Sequence, residues 1–311
     1  MPSSTTGEQP GEPDPAELAA RYGLARTTAR PSLLGYLQQL WQRRDFIRAY
    51  SSARATAQYS ASRLGQLWQI VTPLLNAGVY FILFGVLLQL DRGIANFPAY
   101  LVTGVFAFTF MQRSLNNGAK AIGDNLALVR ALHFPRAMLP LSSVFVELRQ
   151  IMISMCALFL IIPLTGIIKG TGDTIMWSWL LIVPVVGLHM LFNIGISLVM
   201  ARIGAVSQDI NQLLPVLTRI WFYSSGVFYN IKYFGERIEP DWLQAILFPI
   251  IKLNPGAVFL DLYRTVLIES HEPLNLPLGL NVWEAATGWA VLFLVGGFLF
   301  FWRKEEVYGR G

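Results

Sequence analysis

The sequence predicts an all-α, polytopic membrane protein with six transmembrane helices. Three observations carry that prediction: an apolar majority, apolar runs of membrane length, and positive charge confined to alternate connections. Of 311 residues, 54% are apolar and only 14% are charged, a balance that a soluble core does not require. Crossing a bilayer takes about 20 apolar residues. Six runs approach or exceed that length with their flanks: Trp68 to Leu90, Phe97 to Met111, Ile151 to Ile168, Met176 to Met200, Leu213 to Phe228 and Ala285 to Phe301.

Residues 1–30 are rich in Pro, Gly, Ser, Thr and Glu and lack the basic start and apolar core of a signal peptide, so they read as a disordered tail. Over residues 31–60, Leu33, Leu37, Leu40, Trp41 and Ile47 trace a helical stripe, with Arg43, Arg44 and Arg48 on other positions. That is the pattern of an interface helix lying flat on anionic headgroups, as an anchor or as a guide for substrate. Between the fifth and sixth runs, residues 231–281 contain two shorter apolar pieces, Trp242 to Leu253 and Gly256 to Ile268, divided by Asn254-Pro255. Their length suits re-entrant helices. Joining them as a seventh span would bury Lys252, Asp261 and Arg264 together and place the termini on opposite sides.

Lys and Arg cluster before the first run, between the second and third, and after the sixth, whereas the first and third connections carry only Arg92 and Lys169. The positive-inside rule therefore puts both termini in the cytoplasm, with the loops near 116–140 and 201–212. The net charge of +5 reflects this sidedness and contact with membrane lipids. No basic cluster alternates with exposed aromatics, so nucleic acid is not an expected partner.

The segment from Asn116 to Pro140 places a basic amphipathic stretch between two spans. Ile122, Leu126, Val129 and Leu132 recur at helical spacing, Lys120, Asp124 and Arg130 fall elsewhere, and Pro135 limits the helix. The apolar stripe over 116–134 predicts a docking helix for another protein or for the lipid surface. The chain has no G-x-x-x-x-G-K-[ST] loop, so a pump built from it takes its energy from a partner ATPase that holds ATP and Mg. It also lacks H-E-x-x-H and G-x-S-x-G, and its single Cys156 and its three histidines, His133, His189 and His271, form no ligand set. No catalytic residue, metal site or cofactor is expected in this chain.

Ionisable residues in apolar runs are functional candidates. Glu147 and Arg149 fit the cytoplasmic boundary of the third span, with Arg149 snorkelling. Arg219 lies deeper, one turn from Tyr223, either facing a polar conduit or snorkelling in its turn. Aromatic residues crowd three spans: Tyr80, Phe81 and Phe84; Phe106 and Phe110; and Trp221, Phe222, Tyr223, Phe228 and Tyr229. They suit an interfacial belt, and equally a conduit whose flat faces let sugar rings slide past.

Several strings in order resemble the membrane subunit of bacterial type 2 ABC exporters, particularly polysaccharide exporters of the Wzm kind. They are LGQLWQIVTPLL from Leu64, NLALVRALHFPRAMLPLSSV from Asn125, RIGAVSQDINQ from Arg202, SSGVFY ending at Tyr229, LNPG from Leu253 and LYRTVL from Leu262. The chain departs from the family at Gln208, where Arg is common before the Asp, and at Gly226, where many relatives carry Pro. The N-terminal composition is most similar to actinobacterial members that export lipid-linked cell-wall galactan.

The resemblance implies an ABC type 2 transmembrane domain over 31–311, a homodimer in the bacterial plasma membrane, two nucleotide-binding ATPase subunits, and outer gate helices within 231–281. It implies ATPase coupling by Ile122, Asp124, Leu126, Val129 and Arg130, with a second contact at Asp209. A conduit would be lined by Tyr80, Phe84, Phe106, Phe110, Trp221, Phe222, Tyr223 and Tyr229. The cargo would be a polyprenyl-diphosphate-linked polysaccharide, with Arg113, Lys120 and Arg219 as candidates for the diphosphate. A teichoic-acid-like polymer, a lipid or a drug is the alternative cargo. A membrane-embedded glycosyltransferase is the alternative class, against which the sparse acids within the spans argue.

Overall fold

The computed structural model describes residues 22, 32–58, 63–89, 93–132, 134–235 and 240–305. Among these residues all regular structure is helical. The predicted tail over 1–30 lies outside them except for Tyr22, as does His133.

Helix α1 (Leu33–Gln42) begins where the Ser32 hydroxyl accepts from the Gly35 N–H at 3.2 Å, a side-chain cap that satisfies one of the orphan donors. After a break at Arg43, α2 (Arg44–Ala57) continues the element. Tyr36, Leu40, Ile47, Ser51 and Ala55 form one buried stripe across both, while Leu34, Leu37 and Trp41 remain exposed. The predicted stripe therefore divides between protein and surroundings. Leu40 and Ile47 pack inward, and Leu37 and Trp41 form an apolar outer face suited to the acyl boundary.

The six apolar runs become α3 (Trp68–Tyr80, continued by a π-helical turn Phe81–Leu87), α4 (Phe97–Lys120), α6 (Met138–Lys169), α7 (Ile182–Val206), α8 (Ile210–Ser224) and α12 (Val282–Trp302), with a short α5 (Leu126–Ala131) between α4 and α6. Four stretches are long and apolar enough to cross a membrane: Ile70–Leu87, Met138–Lys169, Trp177–Val206 and Val282–Trp302. Helix α4 has the length, 24 residues, but is more polar. It lies at the centre, enclosed by α3, α6, α7, α8 and α11, and a helix shielded by protein needs less grease than one facing lipid. Helix α8 has only 15 residues.

Helix α9 (Ile231–Gly235) precedes the predicted short pair, which is present as α10 (Asp241–Leu253) and α11 (Pro255–Leu267), bent by 61°. The bend has a local cause: Pro255 occupies the first turn of α11, and the Asn254 side chain caps it by accepting from the Gly256 N–H at 2.9 Å. Of Lys252, Asp261 and Arg264, the last two are buried, and hydrogen bonds explain how.

The described chain ends meet. The Tyr36 hydroxyl donates to Glu305 Oε2 at 2.9 Å and accepts from Ala137 N at 3.1 Å, while Arg136 N donates to Glu305 Oε1 at 2.8 Å. Both ends thus lie on one face, as an even number of crossings requires. Burial pushes the Glu305 carboxyl up from its ordinary value, against the pull of the Arg136 and Tyr36 hydrogen bonds.

Helices α7 and α12 form the most extensive contact in the bundle. They approach closely at Gly195 and Gly297: a Cβ on Gly195 would strike the Phe293 carbonyl, and one on Gly297 would strike that of Gly195. Small residues that let backbones touch replace the hydrophobic drive that lipid cannot supply. We expect Gly195→Val to destabilise the detergent-solubilised protein by about 2 kcal/mol, because overpacking here meets backbone rather than a movable side chain. A thermal-unfolding curve superposable on the wild-type one would contradict this packing.

Candidate functional site

At the end where the termini meet, the predicted docking helix over 116–134 is not one helix. Helix α4 runs on to Lys120, the chain turns at Ala121 and Ile122, passes through a 3-10 turn at Gly123–Asn125, and resumes as α5. Gly123, Asp124 and Asn125 are poor helix formers: glycine loses the most backbone freedom, and the side chains of Asp and Asn compete for backbone hydrogen bonds. Asn125 does so visibly, its amide donating to the Ala121 carbonyl at 2.8 Å while its Oδ1 accepts from the Tyr50 hydroxyl at 2.5 Å.

The apolar stripe is largely consumed within the chain. Ile122 is 1% exposed and Val129 is buried, both packed with Tyr36, Leu40 and Ile47 of the interface helices, and Leu126 is partly buried against the same cluster. The surface that stays open comprises Asp124, Arg130 and Leu132. Arg54 of α2 approaches Asp124 at 4.0 Å. The interface helix and the loop are therefore one packed unit, and Asp209 stands exposed in the neighbouring loop before α8.

Toward the opposite end, the aromatic residues form a continuous belt. Tyr80 meets Phe222 at 5.3 Å between ring centroids, Phe84 stacks on Phe228 at 3.9 Å, and Phe228 touches Phe222, Tyr223 and Tyr229. From α4, Phe108 backs the belt edge-on to Trp221 and Phe222 and is itself fully buried. Phe106 and Phe110, assigned to the conduit from the sequence, are instead core residues at 2% exposure, and Phe110 packs edge-on against His189. Spacing four residues apart put them on one face; which face meets α8 is a tertiary property.

Behind the belt sits a polar lock that the sequence reading missed. Asn254 Oδ1 accepts from Trp221 Nε1 at 2.6 Å, and its amide donates to the hydroxyls of Ser224 and Ser225 at 3.3 and 3.2 Å. Ten residues on, the Arg264 guanidinium, 2% exposed, donates to the carbonyls of Tyr100, Gly226 and Val227 at 3.3, 3.1 and 2.9 Å and lies over the Tyr100 ring at 3.3 Å. Asp261 accepts from Leu274 N at 2.9 Å and contacts His271 Nε2 at 2.6 Å. The available signal was an Arg one turn from an Asp inside an apolar helix, in the strings SSGVFY, LNPG and LYRTVL.

A second staple holds the loops at this end. Asp173 accepts from Asn96 at 2.8 Å, from Thr171 at 2.7 Å, and from the backbone and hydroxyl of Ser270 at 2.9 and 3.1 Å. Burial alone would raise its pKa, but these hydrogen bonds together outweigh burial and hold the carboxyl below its ordinary value.

The three cationic candidates are placed separately. Arg113 is half-buried in α4, 3.9 Å from the Glu147 carboxylate, which also accepts from Asn117 at 2.8 Å. Lys120 is exposed at the end of α4, about 10 Å further along the axis. Arg219 is exposed on α8, on the side away from buried Leu214 and Thr218. Glu147 is buried inside the protein.

No family model matches the chain. It is 26% identical over 274 residues to the O-antigen export system permease protein RfbA of Myxococcus xanthus, covering 88% of this chain and 98% of that one. A protein of the same name from Klebsiella pneumoniae is 24% identical over 231 residues, 74% of this chain and 81% of that one. The polysialic acid transport protein KpsM of Escherichia coli is 20% identical over 201 residues, 65% of this chain and 76% of that one. The chain is a homologue of polysaccharide-export permeases. The similarity to export permeases therefore runs along nearly the whole chain, as its strings resembling type 2 ABC membrane subunits lead one to expect.

Two measurements check this geometry. Arg264→Lys supplies one compact charge where a fork met three carbonyls, and should lower stability by about 3 kcal/mol; Asn254→Ala should also destabilise, by about 2 kcal/mol, through the lost cap and the orphaned Trp221. For Asp173 the folded pKa lies below the unfolded one, so its contribution is complete above the usual carboxylate range and is lost as pH falls through the folded value. Asp173→Asn should melt below the wild type at neutral pH, the two converging as pH falls through the depressed folded value; a gap independent of pH would exclude a carboxylate staple.

Proposed function

We propose that the chain is the transmembrane permease of an ATP-driven exporter that carries a polyprenyl-diphosphate-linked polysaccharide, a galactan, from the cytoplasm across the plasma membrane. It works as a homodimer with two copies of a separate ATPase subunit. The observation that carries the reading is the match along almost the entire length of an export permease, in a chain without a phosphate loop of its own.

Six crossings with both termini cytoplasmic fit the meeting of Tyr36 with Glu305 on one face and the basic loops at that face. Helix α6, with 32 residues, is about 48 Å long and exceeds the hydrocarbon core. Its first turns therefore stand in the layer formed by α1, α2 and α5. The short pair α10 and α11 dips in from the outer side.

Coupling follows from connectivity. The docking loop continues directly from α4, and Tyr50 and Arg54 tie it to the interface helix. At its other end α4 offers Tyr100 to the turn that follows α8. A push on the loop by a closing ATPase then moves α4 as a rigid rod, displacing the belt and gate turn together. The diphosphate is met by cations near the cytoplasmic mouth, Arg113, Lys120 and Arg219, while the sugar chain passes Tyr80, Phe84, Phe222, Tyr223 and Tyr229.

The test is co-expression with a candidate nucleotide-binding ATPase subunit. The two proteins should copurify, and lipid-linked galactan should stimulate ATP hydrolysis. Arg130→Glu with Leu132→Asp should weaken assembly about tenfold or more by reversing charge and adding a carboxylate at the open face. Unchanged assembly would move the docking surface elsewhere, and a permease that hydrolyses no ATP in complex with any ATPase would end the exporter reading.

A further inference from the structure

At the gate end lies a cavity of about 570 Å³, within the range of small-ligand sites. Three connections that are far apart in sequence enclose it: the turn at Gly93 to Asn96, the start of α9 at Asn230 to Tyr233, and the segment from Ile268 to Glu272 after α11. None of these residues belongs to the aromatic belt or to the docking loop.

Its lining is built in two layers. The floor is fixed: Asn96 and Ser270 are held by Asp173, and His271 by Asp261, which leaves Nδ1 as the remaining polar atom of the ring. The rim is more exposed. Tyr233 is half exposed, and its ring lies over Gly93, where φ is +78° and a Cβ would collide with the ring. Lys232 and Glu272 face each other at 3.9 Å, so the rim carries one charge of each sign.

A hydroxyl-rich neutral ligand suits this arrangement. The aromatic face takes the C–H side of a sugar ring, and the amide, imidazole and hydroxyl groups take its oxygens. An anionic polymer would meet the Glu272 carboxylate beside Lys232, the only lysine among the described lining residues, and that balanced pair gives it no net attraction.

We infer that this outer cavity is a sugar-binding site for a neutral stretch of the exported chain, occupied after the glycan leaves the membrane. The inference rests on the exporter reading, since it takes the cavity to lie on the far side from the ATPase. A chain held there cannot slip back while the ATPase resets, so export gains direction outside the conduit.

The experiment uses the full chain in lipid nanodiscs, titrated with neutral galactotetraose and mannotetraose and with a glycerol-phosphate tetramer, followed by saturation-transfer NMR. A neutral tetrasaccharide should bind saturably and better than the phosphate tetramer. Tyr233→Ala should weaken it about tenfold, the value of one aromatic contact, while Tyr233→Phe retains most of the affinity. Glu272→Gln, at an exposed rim position, should improve phosphate binding and leave the fold intact.

Absence of saturation by both sugars, equal binding by Tyr233→Ala, or preference for the phosphate tetramer overturns the inference. ATP hydrolysis by the complex is measured in parallel. A complex stimulated by lipid-linked glycan that ignores both tetrasaccharides refutes the cavity alone; a chain that binds sugar but assembles with no ATPase upholds the cavity and refutes the exporter reading.

Discussion

Where a helix stops at membrane depth, its last carbonyls face no water, and an unpaired one costs several kcal/mol. The half of this protein that holds Arg264 meets the same demand inside protein. Helix α8 ends at Ser224, and the turn behind it exposes the carbonyls of Gly226, Val227 and Tyr229. One guanidinium, that of Arg264, covers the first two and reaches Tyr100 as well, and the Tyr100 hydroxyl lies 2.9 Å from the third. A lysine has the charge without the fork. The broken pair α10 and α11 exists in this form because it delivers Arg264 and Asn254 to the end of α8.

This explains how an Asp and an Arg are tolerated in the most buried short helix of the chain. Both are saturated by hydrogen bonds, Asp261 by His271 and the Leu274 amide, Arg264 by carbonyls, and a buried charge is expensive only when it is unpaired. The sequence argument weighed the burial of these charges against a seventh span. It did not foresee that the bent pair buries Asp261 and Arg264 inside protein.

What could be read from the sequence follows the range of the interaction involved. Apolar runs gave the long helices, and Asn254-Pro255 marked the break between α10 and α11 to within a residue, because turn chemistry and capping are local. The interface helix was visible from its stripe, but not the kink at Arg43 or the division of that stripe between protein and surroundings. The split docking loop was missed because periodicity at Ile122, Leu126 and Val129 is the same whether the stripe meets a partner or the chain's own α1 and α2. Phe108 was missed for Phe106 and Phe110 for the same reason. Arg264 bonding a turn 37 residues earlier, and Tyr36 reaching Glu305 across 269 residues, have no local signature.

The two ends of α4 then define what the bundle can do. At one end the loop is packed onto α2 through Tyr50 and Arg54, so the exposed side chains of Leu37 and Trp41 and the exposed surface at Arg130 belong to one packed unit. At the other, Tyr100 is clamped by Arg264 and abuts the loops stapled by Asp173. Packed helices are not continuously deformable, so a displacement at one end appears at the other or breaks a named contact. The weakest links are the Arg54 to Asp124 approach at 4.0 Å and the Arg113 to Glu147 pair at 3.9 Å, both longer than a hydrogen bond. Contacts of that length can exchange at little cost. The tight three-carbonyl grip of Arg264 cannot, which makes the turn after α8 travel with α4 and α11 and leaves rearrangement to the half of the bundle that holds Arg54 and Glu147.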